Sequence, residues 1–164
     1  MRIEEEIKLD YSDVLFRPKR STLKSRKDVD LNRKYTFKYS KLSWKGTPII
    51  ASNMDGVGEL EIAKKLSSHK VMTALTKQHN IEQISKIYKK KEYHNLVALS
   101  CGTSSESYNR LNKILSKHPK FEFICIDVAN GYSENFSHFV SNVRKKYPKK
   151  TIIAGNVVTA DMTQ

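Results

Sequence analysis

The chain has 164 residues, carries a formal net charge of +13 and is 38% hydrophobic. This length suits one globular domain, and apolar runs that recur along the chain exclude a disordered protein. No apolar stretch approaches the roughly 20 residues of a membrane span. The opening residues, MRIEEEIKLD, carry three glutamates where a signal peptide needs a basic and then an apolar region. We therefore expect a cytoplasmic protein with no membrane partner.

The excess of lysine raises the question of nucleic-acid binding. The lysines are spread over every predicted helix, and the sequence has no aromatic RNA-binding signature, zinc spacing or recognition helix. Solvated helix faces account for most of the charge, and phosphate-bearing small molecules could use the remainder. We predict no nucleic-acid partner.

Residues 1–46 are interpreted as an N-terminal extension that contacts other subunits, and residues 47–164 as a βα domain. From residue 47 onward, a short apolar run, a polar turn and a lysine-rich amphipathic stretch recur, which is typical of a parallel sheet. The predicted strands are 47–52, 71–76, 96–100, 121–127 and 151–155, and the predicted helices are 59–68, 81–90, 104–118 and 133–147.

Capping residues support two of these helices. Thr103 and Glu106 have the spacing of a capping box, and Ser133 can cap the following helix with Glu134 in its first turn. The boundaries of the third and fourth βα units are therefore supported by two kinds of signal.

Polar residues follow every predicted strand, which favours a (β/α)₈ barrel over a doubly wound sheet. An open sheet should concentrate its ligand loops at one switch point, and the chain contains neither GxGxxG nor GxxxxGK[ST]. A complete barrel takes about 250 residues and eight strands. We predict an α/β fold with about the first five βα units, either a half-barrel completed by other chains or a truncated form.

Two charged residues at strand ends could carry chemistry. Asp127 follows an apolar run, and it could hydrogen-bond a ligand, transfer a proton or simply cap the next turn. Lys77 also follows an apolar run, and it could hold a phosphate, pair with Asp127, polarise a carbonyl or be a plain exposed lysine.

The cysteines and histidines give weaker signals. Cys125 is expected in the core, and Cys101 has no nearby histidine to activate it, so buried free thiols are favoured over a disulfide or a nucleophile. The five histidines show no metal-ligand spacing, and we predict no metal site in this chain.

Four stretches, in order, resemble the IMP dehydrogenase and GMP reductase family. They are LDYSDVLFRPKRSTLKSRKDVDL, GTPIIASNMDGVG, CIDVANGYSENF and TIIAGNVVT. The sequence motif DVANGYSE favours the reductases. The short connection after Lys77 does so too, because the dehydrogenases commonly carry a regulatory insertion after the second barrel strand.

The resemblance implies a barrel enzyme, typically a homotetramer, that converts GMP to IMP and ammonia with NADPH through a nucleophilic cysteine. It implies catalytic roles for Asp127 and Lys77. It further implies contacts with NADPH or with the purine nucleotide for sets of residues in this sequence. The NADPH set is Lys77, Asp127, Val128 and Ala129, with Ser25 and Arg26 reaching the cofactor of a neighbouring subunit, and the nucleotide set is Ser52, Met54 and Asn156.

The chain departs from the family pattern in three ways. Family members usually show Asn-Met-Asp-Thr where this chain has Asn53-Met54-Asp55-Gly56, and His-Lys-His-Tyr where it has Thr76-Lys77-Gln78-His79. The family's nucleophilic cysteine, with a potassium ion beside it, follows the sixth strand and does not occur before Gln164. We therefore expect the 164-residue chain alone to be inactive. The alternative is a non-catalytic partial-barrel module that binds a dinucleotide or a partner chain.

Overall fold

The computed structural model describes residues 5, 7 and 9–164 in two compact units, the described residues up to 30 and residues 31–164. Positions 1–4, 6 and 8 of the expected N-terminal extension lie outside the described residues. The first unit contains two short 3-10 helices, Tyr11–Asp13 and Arg26–Asp28. Each is closed by a capping box, from Asp10 in the first and from Ser25 in the second.

The second unit is an α/β fold around a six-stranded sheet. The strands are β1 (Arg33–Thr36), β2 (Ser43–Ala51), β3 (Val71–Leu75), β4 (Val97–Cys101), β5 (Phe123–Asp127) and β6 (Thr151–Gly155). The helices are α1 (Leu60–Ser67), α2 (Ile81–Tyr88), α3 (Ser105–Lys117), α4 (Glu134–Lys146) and α5 (Ala160–Thr163), with a 3-10 helix at Lys91–His94. The predicted alternation of strands and helices is confirmed.

The spatial order of the strands follows the chain from β1 to β6, and β2 to β6 pair in parallel. A doubly wound sheet would reverse its order at a switch point, whereas a barrel adds each strand beside the last. The described part of the chain is therefore a partial barrel of five parallel strands, preceded by the antiparallel strand β1.

Strand β2 is longer than predicted. It begins at Ser43 because residues 43–46 pair with β1, and only its second half pairs with β3. Residues 31–46, which the sequence pattern groups with the N-terminal extension, thus contribute β1 and the beginning of β2 to the second unit.

Two apolar clusters lie on opposite faces of the sheet, because successive side chains of a strand alternate in direction. One cluster joins the strands to helices α1 to α4 through residues such as Leu99, Ile126 and Leu111. The other lies on the barrel-interior face and contains Trp44, Phe123 and their neighbours Met72, Ala74, Leu96, Ala98 and Cys125. Trp44 is 3% exposed, and its indole N–H donates to the Asn95 carbonyl at 2.9 Å.

The helix caps agree with the sequence at α4 and differ at α3. The Ser133 hydroxyl accepts the Phe136 N–H, as predicted. At α3 the cap is Ser104, one residue beyond the predicted Thr103, and it accepts the Ser107 N–H at 3.2 Å. The Ser107 hydroxyl in turn accepts the Gly102 N–H at 2.8 Å, so the turn is closed by serines that the capping-box spacing did not indicate.

Candidate functional site

The candidate site lies at the carboxyl ends of the parallel strands, where the side chains change from apolar to polar. Asp127 is the last residue of β5, and Lys77 follows β3 by two residues. Because parallel strands end at one edge of a sheet, the loops after β2 to β6 share this edge. The fold therefore brings together residues that are widely separated in the sequence.

Lys77 and Asp127 form the centre of the site. The Lys77 ammonium nitrogen Nζ donates to the Asp127 backbone carbonyl at 3.0 Å and lies 3.2 Å from the carboxylate Oδ2. About two fifths of each side chain is exposed, so the pair remains open to a ligand. An ammonium group has three N–H donors, and two partners on Asp127 leave one donor for a ligand.

The pair reaches across the end of a strand. Strand β4 lies between β3 and β5, and neighbouring strands are about 4.8 Å apart. Lys77 passes Gly102, just beyond β4, where an added Cβ would lie 3.8 Å from Nζ. The lysine side chain therefore spans two strand spacings and passes close to the backbone just beyond β4.

The loops after β5 and β6 are joined by backbone hydrogen bonds. The Val128 N–H donates to the Gly155 carbonyl at 2.9 Å, and the Asn156 N–H donates to the Val128 carbonyl at 2.9 Å. Ala129 and Asn156 are both exposed at this edge. The structure thus brings Asp127, Val128 and Ala129 beside Asn156.

Ser52 and Met54 lie on the loop that follows β2, next to the end of β3. Both are exposed, and Met54 is 63% exposed. The Met54 carbonyl accepts the N–H groups of Val57 and Gly58, which closes the loop into a turn. These two residues lie at the same edge of the sheet as Lys77, on the opposite side of β3 from Asp127.

The two cysteines are buried on opposite faces of the sheet. Cys101 belongs to the cluster beneath the helices and Cys125 to the cluster on the other face, so they cannot form a disulfide with each other. Burial raises the pKa of the Cys101 thiol to about 12, and burial also raises the pKa of Cys125. Neither thiol has the low pKa that an activated nucleophile requires.

The sequence model of the IMP dehydrogenase / GMP reductase domain matches residues 8–164. The chain belongs to the IMP dehydrogenase / GMP reductase family. The GMP reductase of Vibrio atlanticus is 52% identical over all of this chain and 48% of its own length, and that of Klebsiella pneumoniae is 51% identical over the same shares. The GMP reductase of Caenorhabditis elegans is 47% identical over 99% of this chain and 46% of its own.

A structural relative agrees with this family membership. The crystal structure of inosine 5′-monophosphate dehydrogenase from Legionella pneumophila matches 90% of this chain and 44% of its own, with a TM-score of 0.70 and 26% identity. The predicted resemblance and the predicted partial barrel are confirmed. The chain spans about half the length of the curated relatives it matches.

Ser25 and Arg26, which the family resemblance assigns to a cofactor of a neighbouring subunit, belong to the first compact unit. Ser25 caps the second 3-10 helix: its hydroxyl accepts the Lys27 N–H, and its own N–H donates to Asp28 Oδ2 at 3.0 Å. Arg26 is exposed. Its guanidinium has the planar, permanently charged shape that suits a phosphate.

His79 lies two residues after Lys77 and contacts the loop after β2 and helix α3. The ring is 7% exposed, and its Nε2 lies 3.1 Å from the Gly58 carbonyl oxygen and 3.4 Å from Glu59 Oε2. Arg110 of α3 donates to the His79 backbone carbonyl. The segment that carries Lys77 is therefore tied both to the loop after β2 and to α3, which no spacing rule in the sequence predicts.

Gly58 completes this junction through a close approach of the backbone. Its carbonyl also accepts the Thr76 N–H at 2.9 Å, and an added Cβ would lie 2.6 Å from the Ala74 carbonyl oxygen. A side chain does not fit in that space. The glycine thus allows the loop of Ser52 and Met54 to pack directly against the end of β3.

A cleft of about 1040 Å³ opens at Lys77 between the first turns of α2 and α3. Arg110 and Lys113 lie in its wall, and so do the carboxylates of Glu82 and Glu106. The mixed charge does not by itself select a ligand. Among the residues that the structure describes, no group of three metal-ligating side chains is assembled, and no helix is long and apolar enough to cross a membrane.

Proposed function

We propose that this chain forms the first part of an NADPH-dependent oxidoreductase of purine nucleotide interconversion, which converts GMP to IMP and ammonia. The observation that carries the proposal is the Lys77–Asp127 pair, held open at the mouth of a partial barrel of this family. Identities of 47–52% to proteins named GMP reductase, over almost the whole chain, support the reductase over the dehydrogenase reaction.

The overall reaction consumes GMP, NADPH and two protons, and it yields IMP, NADP⁺ and an ammonium ion. NADPH supplies the two electrons when it is bound. The amino group on the purine C2 must leave as ammonia, which requires a proton donor or a cation beside the leaving nitrogen. Lys77 can fill that role with its remaining N–H, and the two contacts with Asp127 orient the ammonium group.

The two ligands would occupy neighbouring parts of the mouth. Val128 and Ala129 would contact NADPH together with Lys77 and Asp127, whereas Ser52, Met54 and Asn156 would contact the purine nucleotide. The buried Thr76 hydroxyl oxygen has no hydrogen-bond partner among the described residues, so this edge retains polar capacity for a ligand. Ser25 and Arg26 would reach the cofactor of a neighbouring subunit in a homotetramer.

The nucleophile must come from outside these 164 residues. Cys101 and Cys125 are buried thiols with raised pKa values, and neither lies on a strand-end loop. The family's cysteine and the potassium ion beside it would therefore be supplied by further polypeptide, consistent with a chain that spans about half the length of its relatives. On this proposal the 164-residue chain alone has no GMP reductase activity.

A fusion tests the proposal. The 164-residue chain is joined to the part of the Vibrio atlanticus GMP reductase that lies beyond the matched region, and GMP-dependent oxidation of NADPH is measured. We expect turnover by the fusion, none by the chain alone, and loss of turnover in the fusion with Lys77→Met. Lys89→Met, which removes an exposed lysine of the same size, is the control and should keep full activity.

Turnover by the chain alone would refute the need for an external nucleophile. A folded fusion, checked by circular dichroism, that oxidises no NADPH would refute the assignment of the reaction. Equal turnover in Lys77→Met and Lys89→Met would remove Lys77 from the mechanism.

A further inference from the structure

Tyr132 makes an unusual set of hydrogen bonds across two loops of the mouth. Its hydroxyl oxygen accepts the backbone N–H groups of Val158 at 2.7 Å and Thr159 at 2.9 Å. The same hydroxyl lies 3.2 Å from the Thr159 side-chain oxygen, to which it donates. A phenol has one donor and two acceptor positions, so the loop after β6 uses all three.

The backbone beneath Tyr132 is already close to that loop. The Gly131 N–H donates to the Asn156 carbonyl at 2.9 Å, and an added Cβ on Gly131 would lie 2.7 Å from the same oxygen. The chain therefore turns tightly at Gly131, and the next side chain extends over residues 156–159. Gly131 allows the two loops to approach each other closely, and the Tyr132 hydroxyl bonds the loop after β6 from the solvent side.

We infer that Tyr132 is a positioning residue, which holds the loop of Asn156 against the segment that begins at Asp127, so that both loops form one wall of the nucleotide site. The identity of the ligand rests on the proposed function. The clamp, by which we mean the three hydrogen bonds of the Tyr132 hydroxyl with Val158 and Thr159, does not. Tyr132 is not a catalytic residue, since it acts through the position of Asn156.

At Asn156 the loop is held by backbone hydrogen bonds with Val128 and Gly131, whereas the N–H groups of Val158 and Thr159 are bonded to Tyr132. Val158 is 83% exposed, and Asn156 and Thr159 are also exposed, so apolar burial contributes little there. Segments with few buried contacts open locally at low cost in free energy. Three hydrogen bonds to one rigid ring would supply much of the local order.

The same bonds affect the phenol. Hydrogen bonds from the Thr159 hydroxyl and the Val158 N–H lower the pKa of Tyr132, because they stabilise the phenolate, to which the Thr159 hydroxyl can then donate. This provides a spectroscopic signature of the clamp. The amide signals of Val158 and Thr159 should shift as this one phenol ionises.

The decisive variant is Tyr132→Phe, which removes the hydroxyl and keeps the ring. Tyr39→Phe is the matched control, because Tyr39 is a tyrosine of the same unit that is 69% exposed and lies before β2. We expect amide exchange of Val158 and Thr159 to accelerate about fivefold or more in Tyr132→Phe, in line with the loss of a hydrogen bond. Exchange in β4 and β5 should not change, nor should the urea midpoint.

Binding of IMP to the fusion protein, measured by calorimetry, tests the positioning role. We expect Tyr132→Phe to weaken IMP severalfold and Tyr39→Phe to leave it unchanged. Unchanged amide exchange in Tyr132→Phe would overturn the clamp. Accelerated exchange with unchanged IMP affinity would overturn the positioning role. If the fusion with unaltered Tyr132 binds no IMP, the proposed function fails, and the exchange comparison still decides the clamp.

Discussion

Asp127 and Lys77 are ordinary residue types whose importance comes from where two strands end. Their side chains are about two fifths exposed, and exposed ion pairs contribute about 0–1 kcal/mol to the free energy of unfolding. The pair therefore contributes little to the free energy of unfolding. Its value lies in the oriented ammonium group that it presents to a ligand.

The first prediction follows from this imbalance. In the fusion protein, Asp127→Ala should lower turnover about a hundredfold or more, because a positioned proton-transfer group contributes roughly 10²–10⁴-fold. The free energy of unfolding, from urea denaturation, should change by about 1 kcal/mol or less. Glu61→Ala, which breaks the exposed pair with Lys64 on α1, should change neither quantity much. Unchanged turnover in Asp127→Ala would exclude Asp127 from the mechanism.

The sequence predicted where these two residues lie in the fold, but it did not predict which groups they contact. An apolar run followed by a charge indicates a strand end, and the parallel order then brings Lys77 and Asp127 to one edge. Pairing with Asp127 was one of several roles open to Lys77. The choice depends on the rotamer of the lysine side chain, which spacing along the chain does not encode.

At the scale of elements, helices α2 and α3 meet through a buried histidine that sequence spacing did not single out. His118 follows α3 and is 5% exposed, with Nε2 2.7 Å from the Ser85 hydroxyl of α2 and its ring 4.4 Å from that of Tyr88. Burial lowers the pKa of His118 below its usual value, and the charge of Lys117 adds to the effect. The folded protein therefore favours the neutral ring.

The pH dependence of stability follows with a definite sign. Below the ordinary histidine pKa of about 6.5, the unfolded chain binds a proton at His118 more readily than the folded protein does. The stability that His118 contributes is present above pH 6.5 and is lost as the pH falls through the lower, folded pKa. The slope cannot exceed about 1.4 kcal/mol per pH unit for one proton.

Urea denaturation between pH 7 and pH 5 would measure this effect. We expect His118→Gln to flatten the decline in stability, and His138→Gln, which alters an exposed histidine of α4, to leave the decline as it is. Equal slopes in the two variants would show that His118 is not the group responsible. Other groups near this junction, including His94 and Glu122, are unchanged in both variants and cancel in the comparison.

The ends of helices and strands show where residue spacing alone was enough to predict a boundary. Ser133 caps α4 as predicted, because its spacing to the apolar face is unambiguous. The cap of α3 moved from Thr103 to Ser104, because consecutive hydroxyl residues offered several caps and the Gly102–Ser107 bond selected among them. The antiparallel start of β2 was not predicted, since it depends on pairing with β1.

At the scale of the whole molecule, the strands lie side by side in chain order, as they do in the first part of a (β/α)₈ barrel. The second half of β2 leaves Ile49 and Ile50 60% and 48% exposed, and β6 pairs with β5 alone among the described strands. Exposed apolar side chains on a parallel strand are normally covered. The family's relatives are about twice as long, which agrees with a sheet that further strands would complete.

The central claim is that the strand-end edge around Lys77 and Asp127 is a nucleotide-binding surface. The most direct measurement is an NMR titration of the ¹⁵N-labelled protein with NADPH, which reports on every assigned amide. We predict shifts concentrated at Lys77, Asp127, Val128 and Ala129, and their loss in Asp127→Ala. Shifts spread over the lysine-rich helix surfaces, with none at these four residues, would show that NADPH is attracted only by the net positive charge and would contradict the claim.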